Sequence, residues 1–375
     1  MTKSLQTAEL VLIGGGHAHA IVVEQLRKRP LAAARVTLIS DTTQAPYSGM
    51  LPGHVAGFYD FETCHIPLEP LCQKAGVQFY CDRAIGLDLE NQRVLCEQRP
   101  PVAFDWLSID VGSTPAKTTV VGAAENAIAA KPVPQFLAAW NQFLEQMPQT
   151  PQSIGIVGGG AGGVELALNM RGRFQQLGFA SQIAIHLFHR SDRLTPHHNR
   201  YVSQTLEKLL HQNGIQLHLE TEVKAVTPTQ VICQSGLSVE CHPVFWVTQA
   251  SAPDWIQASG LATDERGFIA INSNLQSLSH PRVFAAGDVA TLVGDPRPKA
   301  GVFAVRQGKP LGNNLQRALS GQPLQPYSPQ KRFLGLIGTG DKRAIASWGP
   351  LGCGPDVGLW QWKDWLDRQF MARFR

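Results

Sequence analysis

Short apolar runs that break into glycine recur along this 375-residue chain and set its predicted elements. Residues 10–13 (LVLI) run into Gly14, Gly15 and Gly16, and a helical pattern continues through Leu26. That is a strand, a tight turn and a helix start. The next apolar strand, 36–40 (VTLIS), is closed by Asp41, and the turn-rich loop 46–53 (PYSGMLPG) follows. Segments 83–89 and 93–97 alternate apolar and polar about Glu90-Asn91-Gln92, which predicts a hairpin. Residues 104–115 (FDWLSIDVGSTP) form a buried strand that ends in a turn at Gly112. An amphipathic helix over 131–147, with Phe136, Trp140 and Phe143-Leu144 on one face, links to the second half. There the opening pattern returns: 153–157 runs into Gly158, Gly160 and Gly163, and a strand follows at 182–188. Short β-like runs fill 221–246, with a buried strand at 244–248. A strand ends in Gly287-Asp288, a helix spans 299–319, and two strands flank Gly338-Thr339-Gly340.

A strand, glycine turn and helix in this order bind a dinucleotide pyrophosphate. The turn brings backbone close to the phosphates, and the helix N-terminus supplies amides and positive dipole. Gly14, Gly15, Gly16, His17 and Ala18 make the first such turn, with His19 at the place of the third glycine. Gly158, Gly160 and Gly163 make a complete second one. An acidic residue after the second strand accepts from the adenosine ribose. Ser40 or Asp41 can hold that post in the first copy; Asp41 is preferred, although it also reads as a turn opener. The second copy has His189-Arg190-Ser191 there, with no carboxylate. Arg190 either pairs with a 2′-phosphate, which favours NADPH, or is a solvated arginine. Asp288 can accept from a flavin ribityl hydroxyl, cap a helix, or do both. The helix start at Ala300 and Gly301 can aim its dipole at the flavin N1–C2=O edge.

Bulk composition narrows the class further. At 43% hydrophobic and 17% charged the chain is globular, and a net charge of +4 is too mild for a nucleic-acid partner. With no signal-like segment and no long apolar run, a cytoplasmic chain without a membrane span is expected. The seven cysteines (Cys64, Cys72, Cys81, Cys96, Cys233, Cys241 and Cys353) contain no C-x-x-C pair and read as packed thiols. His17 and His19 lack the neighbours a metal site needs, and His197-His198 reads as a surface helix opening. The aromatic, basic tail after residue 358 fits a membrane surface, the body of the protein or a second subunit in a homodimer.

These residues together resemble the pyridine nucleotide–disulfide oxidoreductase superfamily, and within it the type II NADH dehydrogenase branch. The likeness is strongest to the NADH dehydrogenase-like flavoprotein often fused ahead of selenophosphate synthetase. GGGHAH at 14–19, PYSGMLPG, DVGSTP, FAAGDVA, KAGVFAVRQG at 299–308 and WQWKDWLDRQF carry it over nearly the whole chain. A free-standing form is expected, with no synthetase after Arg375. The resemblance implies an α/β fold of two nested Rossmann-like, glutathione reductase-like domains. FAD binding would occupy 1–120 and 251–330, NAD(P)H binding 121–250, and 331–375 would cover the flavin, contact a second subunit or meet a membrane.

It implies FAD on Gly14, Gly16, Gly112 and Gly287-Asp288, and NADH or NADPH on the second turn. Hydride then passes to the flavin and on to a quinone-like acceptor, a step that needs positioning more than an acid or base. Glu165 matches the glutamate of GGGxxGVE near the flavin and acceptor, and Lys299 to Gln307 match the pocket lining; Glu165 and Lys299 are the catalytic candidates. Where disulfide reductases carry a redox cysteine pair, this chain has none, so electrons are expected to pass through the flavin directly. The sequence departs at Asp110-Val111-Gly112, where relatives have Ala-Thr-Gly, and at Thr248-Gln249-Ala250. Two alternatives remain: a reductase of selenium or sulfur compounds, and a flavin-binding regulatory module with a degenerate nicotinamide site.

Overall fold

The structure, a computed structural model, describes residues 7–31, 34–115, 120–146, 150–248 and 250–375. Gln249 and Met147, both used above, lie outside the described residues. Two five-stranded parallel sheets dominate. The first is ordered Val283–Ala285, Trp106–Ile109, Ala8–Ile13, Ala34–Ser40, Gln78–Cys81. The second is ordered Ala127–Ala129, Val244–Trp246, Gln152–Val157, Ile183–Phe188, Ile215–His218. Helices cover their central strands, which is why these read as unbroken apolar runs: Leu10 to Ile13 are essentially inaccessible. Each sheet is accompanied by a three-stranded antiparallel meander, at 84–103 and at 223–240. The chain therefore repeats one plan. The first sheet draws its edge strand Val283–Ala285 from beyond the whole of the second.

The pattern-based elements hold with local differences. The hairpin Ala84–Asp88 and Arg93–Cys96 gains a third strand at Val102–Ala103. The loop 46–53 is partly ordered as the helix Leu51–Val55, because Pro52 suits a first helical turn. His197-His198 does not open a helix. Asn199 does, accepting from the Val202 amide, and the helix runs Arg200–Gln212. His198 instead bonds Ser347.

The helix Gly301–Leu319 lies against His17–Lys28. A Cβ on Gly308 would meet Ile21 at 2.7 Å, so glycine there allows the close crossing. That approach delivers the start of the helix to the first glycine turn, where Gly301 faces Ser48 and His17. The C-terminal part forms an antiparallel sheet, Leu334–Gly338, Ala344–Trp348 and Leu351–Asp356, and then the helix Val357–Met371. Among the described residues no helix is long and apolar enough to cross a membrane.

The tail helix packs on the body. Phe370 sits 4.6 Å from the Tyr47 ring, Trp360 lies 5.7 Å from Phe58, and Lys363 donates to Gly49 O. Its cations are spent inward or within the helix: Arg368 on Asp364, Arg373 on Glu24, Arg375 on Glu62 O. The opposite face leaves Trp362 and Trp365 43% and 56% exposed.

Candidate functional site

The first glycine turn is closed by Asp110. Gly14 has φ +92°, and a Cβ there would lie 2.4 Å from Asp110 O. The Asp110 carboxylate accepts from the Ala18 and His19 amides at 2.8 and 3.1 Å, and it fills the space beside Gly16 and Gly287. Of the helix's first amides this leaves His17 N–H, next to Gly15 N–H in the turn, for an anion. Burial pushes Asp110 up to about 7 against the pull of the two amides, and Asp288 adds to the rise. His19 makes its own use of the third glycine position. Its Nδ1–H donates to Gly14 O at 2.7 Å and its Nε2 accepts from Ser108 at 2.8 Å, so the buried ring is neutral.

Asp288 lies at the end of Val283–Ala285, in a one-turn helix whose Gly287 amide is held by Gln307 Oε1 at 2.7 Å. Lys131 Nζ reaches Asp288 at 2.6 Å and Ser113 Oγ at 3.1 Å, tying the approach to the second sheet onto the first site. Half-buried His17 feels both charges, and desolvation draws it down to about 4. Gly112, at φ +71°, turns the chain beside Ser113 with no atom near its absent Cβ. Ala300 is the extended N-cap of Gly301–Leu319 and leaves that helix's first amides without a side-chain cap.

Asp41 is placed less favourably than the sequence suggested. It is exposed and lies 3.8 Å from Arg83. The pairing Ile13↔Ile39 makes Ser40 the last residue of its own strand, one position past the end of Ala8–Ile13, and its hydroxyl lies under Gly15.

The second turn keeps the same register, with Val157↔Phe188 and Gly158 N donating to Phe188 O. A Cβ on Gly163 would lie 1.9 Å from Gly158 O, so helix and turn touch directly. Gly160 has nothing within 4 Å of its Cβ position, and the amides of 161–163 meet no capping side chain. This is an open anion cradle. Val247 occupies the place that Asp110 has in the first copy. Arg190 is exposed beyond it.

Glu165, on the helix Ala161–Leu177, accepts from the Gly338 amide at 2.8 Å. Burial pushes it up to about 7, opposed by Lys363 and by that amide, with Asp367 adding to the rise. Lys363 donates to Asp367 at 2.7 Å, and Tyr47 hydrogen-bonds the same carboxylate. Glu165, Lys363, Asp367, Tyr47 and Gly49 thus form one polar cluster under the tail helix. Lys299 does not join it. Its ammonium donates to Ala290 O and Thr291 and lies 4.0 Å from the Phe268 ring, and desolvation lowers it to about 8. Lys131 carried no motif in the sequence, and Lys363 and Asp367 lay within WQWKDWLDRQF without a role of their own; a lysine four residues before an aspartate on a helix was the one available sign.

The cysteines are all free, and Cys64 and Cys72 are buried, which pushes both thiols up to about 12. Neither is a thiolate at neutral pH.

The family profile of the pyridine nucleotide-disulphide oxidoreductases matches residues 8–308, and the chain belongs to that family. It is 26% identical to an NADH dehydrogenase-like protein of Mycobacterium tuberculosis over 71% of this chain and 69% of that protein. It is also 26% identical to the demethylphylloquinone reductase NdbB of Synechocystis, over 72% and 69%. The fold matches that of NDH2 from Plasmodium falciparum in complex with NADH, with a TM-score of 0.84 at 14% identity, covering 98% and 97% of the two chains. The chain is an FAD-dependent NAD(P)H oxidoreductase of this family, and the open amides of its two turns fit dinucleotides.

Proposed function

We propose that the chain passes reducing equivalents from NAD(P)H through FAD to a quinone-like acceptor, without a redox disulfide. The observation that carries this is the pairing of two dinucleotide turns with seven cysteines that form no disulfide: Cys64, Cys72, Cys233 and Cys241 are packed thiols as expected, while Cys81 and Cys353 are exposed singly. The name of the similar demethylphylloquinone reductase supports the acceptor class, and that of the NADH dehydrogenase-like protein the donor. FAD at the first turn supplies the two-electron relay. The strand origins favour FAD binding by 1–120 and 251–330, NAD(P)H binding by 121–250, and a covering role for 331–375.

In this reading the chain's own groups position and protonate. Asp288 and the amides of Gly15 and His17 hold the flavin dinucleotide, while the start of Gly301–Leu319 turns its positive end toward the ring. Glu165, near 7, is poised to hand a proton to a reduced acceptor at neutral pH. The test is anaerobic stopped-flow reduction of the FAD-loaded protein by NADH and NADPH, followed by reoxidation with a short-chain quinone. Rapid bleaching and rapid recovery are expected, with recovery slowing as pH rises through about 7 and Glu165 loses its proton. No bleaching with either nucleotide would sink the reductase reading. Recovery only with a sulfur or selenium compound would sink the quinone.

We also propose that Trp362 and Trp365 lay the protein on a membrane surface, where a lipid-soluble quinone is collected. The tail's cations are already paired, so apolar burial carries the contact. Vesicle co-sedimentation should be nearly independent of salt and drop roughly tenfold in Trp362→Ala/Trp365→Ala, given the area two indoles bury. A strong salt dependence, or a dimer that the double variant breaks apart in solution, argues against it.

A further inference from the structure

The post that reads the adenosine ribose differs between the two copies. Strand register assigns it to Ser40 in the first and to His189 in the second. A carboxylate there would accept from both ribose hydroxyls and repel a 2′-phosphate. His189 does neither. Its ring lies flat beneath Gly159, where a Cβ would come within 2.5 Å of it. Its Nδ1 accepts from Gly159 N–H at 3.2 Å and its Nε2–H donates to Arg193 O at 3.1 Å. With both nitrogens engaged, the ring is a neutral floor with no hydrogen-bonding atom left for the ribose.

The two residues that follow are free. Among the described residues neither the Arg190 guanidinium nor the Ser191 hydroxyl has a hydrogen-bond or ion-pair partner. Asp192 is the acid next in sequence, yet at the His189 ring the Arg190 charge acts more strongly than the Asp192 charge. Glu220 meets this loop through its backbone, its amide donating to Ser191 O at 3.1 Å, and its side chain is exposed. Arg193 is turned back onto Pro196 O and adds a second positive charge nearby.

We propose that the second turn selects the 2′-phosphorylated nicotinamide dinucleotide, with Arg190 pairing the phosphate and Ser191 donating to it. Arginine matches a phosphate with two parallel N–H donors, and a charge-assisted pair of this kind is the strongest polar contact available on such a rim. The inference rests on the reading of this turn as the NAD(P)H site.

Its test separates binding from turnover. Calorimetric titration of the FAD-loaded protein with 2′,5′-ADP and with 5′-AMP reads the phosphate contact alone. The 2′-phosphate should tighten binding tenfold or more, roughly the worth of one charge-assisted pair. Arg190→Ala should bring the two affinities together by weakening 2′,5′-ADP and sparing 5′-AMP. Equal affinities in the parent protein, failure to bind either, or a difference untouched by Arg190→Ala overturns the proposal. Anaerobic reduction with both nucleotides then tells the failures apart. Faster bleaching by NADH than by NADPH leaves the reductase reading standing and removes this one. Arg190-dependent binding of 2′,5′-ADP without bleaching by either does the reverse.

Discussion

Gly163→Ala should silence reduction of the flavin by NAD(P)H while leaving the flavin in place. The added methyl would sit 1.9 Å from Gly158 O, a backbone atom that cannot rotate away. Helix Ala161–Leu177 must then lift from the turn, and the amides of 161–163 move off the pyrophosphate. Overpacking of this size costs about 1–3 kcal/mol, or roughly ten- to a hundredfold in nucleotide affinity. The visible spectrum and FAD content should be unchanged, and dithionite should still bleach the flavin. A variant that binds and oxidises NAD(P)H normally would refute the assignment of this turn. The first copy offers the mirror experiment. There His19 replaces the close contact with two hydrogen bonds, so glycine at 19 leaves Gly14 O and Ser108 without their buried partner.

The second large effect concerns Asp110, a carboxyl group enclosed beside the site for a diphosphate. Its proton affinity in the fold lies near pH 7 instead of the usual 3.8. Between those two values the folded chain holds a proton that the unfolded chain has lost, so stability falls as pH rises from about 4 to 7 and then levels off. The shift corresponds to roughly 4 kcal/mol across that window. A bound pyrophosphate adds negative charge beside His17 and Asp288 and raises the cost of ionising Asp110 further. FAD should therefore bind with uptake of a proton and be released more readily above pH 7.

Asp110→Asn keeps an oxygen for the Ala18 and His19 amides and cannot ionise. It should bind FAD at pH 8 at least tenfold more tightly than the parent protein, since it escapes that charge repulsion. Flavin-fluorescence titrations at pH 6 and pH 8 decide the matter. Parallel affinities in parent and variant at both pH values would show that Asp110 does not titrate with the flavin.

Much of this was legible in the order of apolar runs and glycines, because a buried parallel strand and a tight turn each demand specific residue types over a few positions. The duplicated plan and the Gly287-Asp288 turn follow from local sequence, while Glu165 was singled out only by the family resemblance. The ribose post was harder. Ser40 and Asp41 are adjacent, and only the pairing Ile13↔Ile39 shows which one ends under the turn. Lys131 meets Asp288 across 157 residues, and Lys363 meets Gly49 across 314; such contacts leave no spacing to read. For the same reason the sequence left a membrane surface, the body of the protein and a second subunit all open to the cations of the tail. Its outward indoles were visible as composition, but which face they take depends on where Phe370 docks.

One consequence of the tail helix is mechanical. Lys363 is anchored to Gly49 in the half that holds the first turn and lies within electrostatic reach of Glu165 in the half that holds the second. Lys131 on Asp288 joins the two halves directly, and Lys363 adds a second tie through the tail helix. Hydride moves efficiently only over about 3–3.5 Å between donor and acceptor atoms, and small drifts of one half against the other break that alignment. Two ties made by the chain's own side chains resist such drift before either nucleotide arrives.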